Sequence, residues 1–275
     1  MTVLVSKTDR TVESFDSSKL QNSLIRAGAG EDVVEAIQKE IQKILYNGIP
    51  TSQIYHKAFS FLQDYRRGVA ARYSLKRAVA EFGPSGFPFE VYLGKLFESE
   101  GYTARIDQII KGGCVEHEVD VVLTKKREKI FVEAKFHNDP GYKTDLKTVL
   151  YVKARIDDIQ KAKPMVPIQG MVVTNTKFTS KAIQYASCAG LELLGWEYPE
   201  GRDLHMRIDM AKLYPITALT TLTQIEKGVL LSKKMVLCSD ISLNSHALAV
   251  AGIRGKRANF VLDEVGALCM PGKDI

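Results

Sequence analysis

Asp120, Glu133 and Lys135 are charged residues in an otherwise apolar stretch, VEHEVDVVLTKKREKIFVEAKF, residues 115–136. The stretch reads as two strands joined by a charged turn. A carboxylate or ammonium on a buried face costs several kcal/mol unless it is paired, neutralised or bound to a metal. Glu133 and Lys135 are two apart, so both leave the same face of their strand, while small Ala134 points to the other. In an antiparallel pair with a short turn, Asp120 lies across from Glu133. Two carboxylates so close repel unless a divalent cation sits between them. A hard cation such as Mg²⁺ (or Mn²⁺) takes oxygen ligands, which two carboxylates and the Ala134 backbone carbonyl supply. A lysine beside it orients or deprotonates a water. The competing reading is a surface ladder of Glu133 and Lys135 beside KKREK. The flanking Ile130, Phe131, Val132 and Phe136, and VDVVL in the other strand, weigh against it.

The elements that must position these residues follow from pattern. TVLVS and TVESF are short strands around KTDR, and Asp16 or Ser17 caps an amphipathic helix ending near Gly28. Three more helices follow: EDVVEAIQKEIQKILYNG, SQIYHKAFSFLQDY and AARYSLKRAVAEF, the last ending at the breaker GPSG. After it come helix FEVYLGKLFESEG, strands YTARIDQ, VEHEVDVVLT and KIFVEAKF, and a long helix from about Thr144 to Lys161. Strand IQGMVVTN, helix TSKAIQYASCAG and strand LELLGW complete this part. Strands alternating with long helices indicate an α/β unit with a mixed sheet. From about Asp209 the pattern is short helices: ALTTLTQIEKGVLLSK, SHALAVAG and KRANFVLDEVGAL. The chain therefore divides into residues 1–82, 83–205 and 206–275.

The spacing D120–(x12)–E133-A134-K135 resembles the PD-(D/E)xK nuclease motif. Its surroundings, GPSGFPFEVYLGKLFESEGY, HEVDVVL and VEAKFHNDPGYKTDLKTVLYVKARIDD, resemble the Mrr-like type IV restriction endonucleases. The resemblance covers residues 83 to 195 or so, and implies a restriction-endonuclease-like αβββαβ core. It implies Asp120 and Glu133 as metal ligands, Lys135 as the catalytic lysine and Glu90 as a further acidic group near the metal. Val119 stands where the older motif name has proline. Tyr151, Arg155 and Asp158 share a helical face. That face reads as a salt-bridged surface, and the resemblance turns Arg155 toward a substrate phosphate or a motif carboxylate. His117 reaches the side of Asp120 only across a bulge, because an odd offset alternates faces.

LVSKTDRTVESFDSSKLQNSLIRAG resembles the start of an ATP cone, the nucleotide-sensing domain of ribonucleotide reductases and some regulators. The resemblance, carried by Val5, Lys7, Asp9, Glu13, Phe15, Asp16, Lys19 and Leu20, runs through about residue 82. In the turn, Thr8 and Arg10 replace a basic residue and a glycine of the usual K-R-D-G. Lys7, Arg10 and Lys19 are the candidate anion ligands for ATP or dATP, against the alternative of a helical packing domain. LAVAGIRGKRANFVLDEVGAL is similar to a helix-hairpin-helix. There Gly252 and Gly255 would turn the chain, and Lys256 and Arg257 would add charge at a DNA phosphate. Packing or dimerisation is the competing role.

Composition narrows the class. The 275 residues are 45% hydrophobic and 25% charged, an ordinary globular balance. A net charge of +6 favours a polyanionic partner. No apolar run is long enough to span a bilayer, and MTVLVSKTDR lacks the apolar core of a secretory signal. Cys114, Cys188, Cys238 and Cys269 form no C-x-x-C pair, which fits a reducing cytoplasm; Cys114 and Cys188 read as buried thiols. The expectation is a cytoplasmic, Mg²⁺-dependent endodeoxyribonuclease that restricts foreign or modified DNA under ATP or dATP control. A cut of both strands by one-site subunits favours a homodimer. Two rivals remain: a DNA-binding or nucleotide-sensing regulator with a vestigial nuclease site, and a structure-selective repair nuclease or resolvase.

Overall fold

The computed structural model describes residues 3–7, 11–243 and 246–269. β1 (Leu4–Ser6) pairs antiparallel with β2 (Val12–Ser14) to make the first hairpin, with Val5 buried beneath it. Asp16 then caps α1 (Ser17–Arg26), its carboxylate accepting from the Ser18 N–H. α2 (Glu31–Ile44) buries Val34, Ile37 and Ile41 along one stripe. The sequence signals a hairpin followed by helices, but the structure adds β3 (Ile49–Pro50), parallel to β1, to give a sheet of order β2-β1-β3. Two residues are too few to show an alternation. α3 (Thr51–Tyr65) follows, and the single helix expected next is two: α4 (Arg67–Tyr73) and α5 (Leu75–Ala80). At the break the Ser74 hydroxyl donates to the Ala71 carbonyl at 2.9 Å, a local bond that competes with the helical ladder.

The central unit has the expected αβββαβ order. α6 (Phe87–Ser99) is followed by β4 (Thr103–Lys111), β5 (Glu116–Lys125) and β6 (Glu128–Lys135), which pair antiparallel in sequence. After β7 (Lys143–Thr144), the Asp145 carboxylate caps α7 (Leu146–Ala162). β8 (Gln169–Thr174) returns parallel to β6. β9 (Lys177–Phe178) pairs with β7, α8 (Ser180–Ala189) covers the sheet, and β10 (Glu192–Leu194) runs parallel to β8. The mixed sheet has the order β10-β8-β6-β5-β4. Its Val121, Leu123 and Val132 pack with Phe89 and Leu93 of α6, and its Val122 and Phe131 pack with Val149 and Val152 of α7.

The last segment is helical as expected: α9 (Leu204–Ala211), a 3₁₀ turn at Ile216–Ala218, α10 (Gln224–Ser232), α11 (Cys238–Leu243), α12 (Ala247–Val250) and α13 (Gly255–Cys269). α10 begins later than its apolar run does, because Thr223 and Glu226 form a capping box that fixes the helix start there. Cys114 and Cys188 are exposed, not buried: the first lies between β4 and β5, and the second on the outer side of α8. Among the described residues no helix is long and apolar enough to cross a membrane.

One core runs through all three segments. Val69 and Ala70 of α4 pack into the N-terminal core with Leu24 and Ile37. The next residue, Ala71, and Leu75, Ala78 and Val79 of α5 pack instead with Phe89 and Leu93 and with Leu219, Val261 and Leu268. The Thr217 hydroxyl donates to the Ala78 carbonyl at 2.6 Å. Buried Glu264 of α13 accepts the N–H and hydroxyl of both Thr220 and Thr221, at 2.7 to 2.9 Å. Glu264→Ala leaves those four donors without an acceptor. It should cost about 2–4 kcal/mol in chemical denaturation, with part of the loss restored in Glu264→Gln. An unchanged midpoint in Glu264→Ala would contradict this role.

Candidate active site

Strand register places the charged residues. The β5–β6 ladder closes at Val121↔Val132, and the next position beyond it sets Asp120 against Glu133. Here the Asp120 carboxylate, not a ladder carbonyl, accepts the Ala134 N–H at 2.6 Å. The N–H and C=O of one strand residue leave by the same edge. The Ala134 carbonyl therefore points toward Asp120 as well. Glu133 is 5% exposed and faces α7. Lys135 Nζ stands 2.6 Å from its Oε1, and the Arg155 guanidinium of α7 donates to its Oε2. Arg155 also donates to the Tyr151 hydroxyl at 3.0 Å, and its buried Nε has no partner. Asp120, Glu133, Ala134 and Lys135 are thus brought together. Arg155 sits on a motif carboxylate, its side chain only 12% exposed, and is not presented outward to a phosphate.

Glu90, in the first turn of α6, joins the site through charge. Burial, then the neighbouring Asp120, Asp107, Glu118 and Glu133, push its carboxyl up to about 7. Burial and Glu133 likewise push Asp120 up to about 6, against the Ala134 N–H and the cations Lys135 and Arg155. Asp107 escaped the sequence reading. It lies across from Asp120, between the pairs Ile106↔Val121 and Gln108↔Val119, with φ at +55°. Its only signal in the sequence is an acidic residue interrupting a strand, which any exposed strand tolerates.

The left-handed Asp107 marks a reset of both strands. Ala104 and Ile106 pack toward α6, yet Ile110, at an even offset, packs toward α7. In β5, Val121 packs toward α6 and Val119 toward α7. This is the irregularity that His117 needs to change sides. Its Nε2 lies 2.9 Å from Asp158 on α7, which also accepts the N–H groups of Cys114 and Val115. Bonds from the Cys114 thiol, His117 and those amides hold the Asp158 carboxyl well below the usual carboxylate range. His117 and Asp158 brace the β4–β5 turn on α7 and leave the carboxylate group to Glu90, Asp120 and Glu133.

The residues suit a hard divalent cation in charge. Glu90 and Asp120 are acidic groups raised by burial and by neighbouring carboxylates, Asp120 foremost for Glu90 and Glu133 for Asp120, a repulsion that a cation would relieve. Glu133 contributes only if it exchanges Lys135 or Arg155 for the metal. In the present arrangement no group of three His, Cys, Asp or Glu side chains among the described residues is placed to hold a metal ion.

The other candidate ligands lie elsewhere. Lys7 and Lys19 both contact Glu13, at 2.6 and 3.4 Å, and Arg10 lies outside the described residues. Gly252 and Gly255 lie at the α12–α13 turn with φ of +76° and +57°, a left-handed backbone that favours glycine. Lys256 is exposed beside it, whereas Arg257 pairs with Glu226 at 2.7 Å.

Comparison with known proteins agrees with this architecture. Residues 84–197 match the Mrr-type restriction endonuclease domain, residues 3–80 the ATP cone domain, and residues 214–269 the C-terminal domain of AF1548-like proteins. The central unit is therefore a restriction-endonuclease-like domain, preceded by an ATP cone. An uncharacterized protein of Archaeoglobus fulgidus is 37% identical over 176 residues, 62% of this chain and 97% of its own. The crystal structure of AF1548, a protein of unknown function, is 32% identical over 68% of this chain and all of that one, with a TM-score of 0.57. The MspJI restriction endonuclease, solved with a 27-mer oligonucleotide, is 14% identical, covering 70% of this chain and 39% of that one, with a TM-score of 0.36. The chain belongs to the AF1548-like family.

The raised carboxyls set a pH dependence. Both groups bind protons more tightly folded than unfolded, so stability is greatest below their unfolded pKa values and falls as pH rises toward 6 to 7. Glu90→Gln should flatten that fall by on the order of 1 kcal/mol after allowance for solvent screening. Melts in chelator from pH 4 to pH 7 or so measure it. Melting curves of equal slope in the two proteins would show that Glu90 does not feel the cluster.

Proposed function

We propose that this chain is a cytoplasmic, Mg²⁺-dependent endodeoxyribonuclease that restricts foreign or modified DNA. The observation that carries the reading is the convergence of Asp120, Glu133 and Lys135 at one end of the β5–β6 ladder. It occurs in a restriction-endonuclease domain, a family whose chemistry is phosphodiester hydrolysis. Mg²⁺ (or Mn²⁺) held by Asp120, Glu133 and the Ala134 carbonyl would supply Lewis-acid stabilisation of the charge that builds on the phosphate. Asp120 is pre-set for this role by the Ala134 N–H, which fixes one carboxylate oxygen and leaves the other to a ligand. Lys135 Nζ, on the same face as Glu133, would position the attacking water. Glu90 adds acidic charge from α6. The ATP cone supports ATP or dATP as a regulator. The net charge of +6 suits a DNA partner, and a double-strand cut calls for a homodimer.

The clamp of Lys135 and Arg155 on Glu133 favours one rival, a DNA-binding regulator whose site no longer takes a metal. Purified chain incubated with methylated and unmethylated plasmid and linear DNA, with and without Mg²⁺ and ATP, separates the two. Mg²⁺-dependent cleavage is expected, with Asp120→Ala, Glu133→Ala and Lys135→Ala each reducing it about 100-fold or more while circular dichroism stays unchanged. DNA binding without cleavage in either metal would sink the nuclease reading. Cleavage confined to branched or damaged DNA would replace restriction with repair.

A further inference from the structure

A cavity of about 570 Å³ lies where the N-terminal helices meet the segment after β10. One wall comes from α1, α3, α4 and α5, the other from residues between Trp196 and Asp209. Its size is that of a small-molecule site. Neither the nuclease chemistry nor the Lys7–Glu13–Lys19 cluster uses it.

Its charges divide into those already occupied and those left available. Arg72 donates to the Ala27 carbonyl at 2.7 Å, and Arg77 lies 3.6 Å from the centre of the Tyr55 ring. The carboxylates are likewise engaged: Glu197 with Lys177 at 2.7 Å, Asp203 as the cap of α9, and Asp209 with the Tyr214 hydroxyl at 3.2 Å. Lys76 and Arg26 line the cavity with no hydrogen bond or ion pair among the described residues. Burial holds the Lys76 ammonium below the usual lysine range; Glu197 opposes this, and Lys177 and Lys7 add to it. Of the charges that act on this partly buried cation one is a carboxylate, Glu197, itself paired with Lys177, and two are cations, which leaves room for an anion. The walls also carry flat aromatic surface. Tyr55 and Tyr73 stack at 5.2 Å and 11°, and Trp196 and His205 at 5.1 Å and 25°.

We propose that this cavity binds a nucleoside polyphosphate, with Lys76 and Arg26 on its phosphates and the aromatic walls against its base. The inference rests on reading the N-terminal unit as nucleotide-binding, and adds that the nuclease unit forms half of the site. The consequence is direct coupling. A ligand that touches Trp196 and His205 contacts the segment leaving β10, which pairs with β8, itself paired along Glu133 to Lys135.

Trp196 is the only tryptophan in the chain and lines this cavity, so tryptophan emission comes from its wall. The test titrates the full chain with ATP, dATP and inorganic triphosphate, following Trp196 emission and calorimetric heat together. The expected result is a saturable emission change with ATP or dATP at the calorimetric midpoint, with weaker binding of triphosphate. Lys76→Ala and the exposed-site variant Arg26→Ala should each weaken binding about tenfold or more, with unchanged circular dichroism. Heat with silent Trp196 and undiminished affinity in both variants would overturn the cavity assignment and leave nucleotide binding by the N-terminal unit standing. A Trp196 response that neither substitution weakens overturns the assignment too. Absence of both heat and emission change would remove both readings.

Discussion

Like charge in a partly buried place is the constraint on which the centre of this molecule depends. Glu90, Asp120 and Glu133 approach one another where burial already disfavours ionisation, and the surroundings answer each carboxylate differently. Glu133 is neutralised by Lys135 and Arg155. Asp120 takes a backbone N–H. Glu90 meets the charge by holding its proton to near neutrality. A cluster of carboxylates beside a lysine is suited to a cation and a water, which links these electrostatics to the proposed hydrolysis.

The scaffold around that constraint is irregular where it has to be. The paired resets at Asp107 and Asp120 interrupt two strands that would otherwise alternate smoothly. They free Asp120 from the ladder and turn His117 onto α7, where Asp158 anchors the β4–β5 turn. Strand irregularities of this kind re-aim a side chain at the cost of local pairing. Arg155 and Asp158, a turn apart on α7, thus hold the two ends of the same strand region, one through Glu133 and the other through His117.

The three segments are mechanically joined by α4 and α5. Their inner residues divide between two cores within a single turn, and α13 closes on α4 so tightly that a methyl group on Gly68 would sit 3.3 Å from the Ala267 carbonyl oxygen. Helices shared in this way join the N-terminal unit to the C-terminal helices and α6 by packing, without a separate linker. The cavity beside Trp196 is a second point of contact between the same bodies.

The sequence by itself determined the class of fold and the motif. Period-two alternation and long amphipathic runs are local, so the αβββαβ order, the facing of Glu133 with Lys135, and the pairing of Asp120 across from Glu133 were all legible from spacing. What local pattern does not encode, only the tertiary structure decided. β3 is two residues long, and the break at Ser74 falls inside a run that reads as one helix. Arg155 reaches Glu133 across 22 positions, Asp107 meets Asp120 only through strand register, and the two exposed cysteines owe their exposure to where the turn and helix lie. The cavity is assembled from residues between Ser23 and Asp209 that share no motif. Its existence depends on how separate helices pack, and packing between distant segments leaves no periodic trace along the chain.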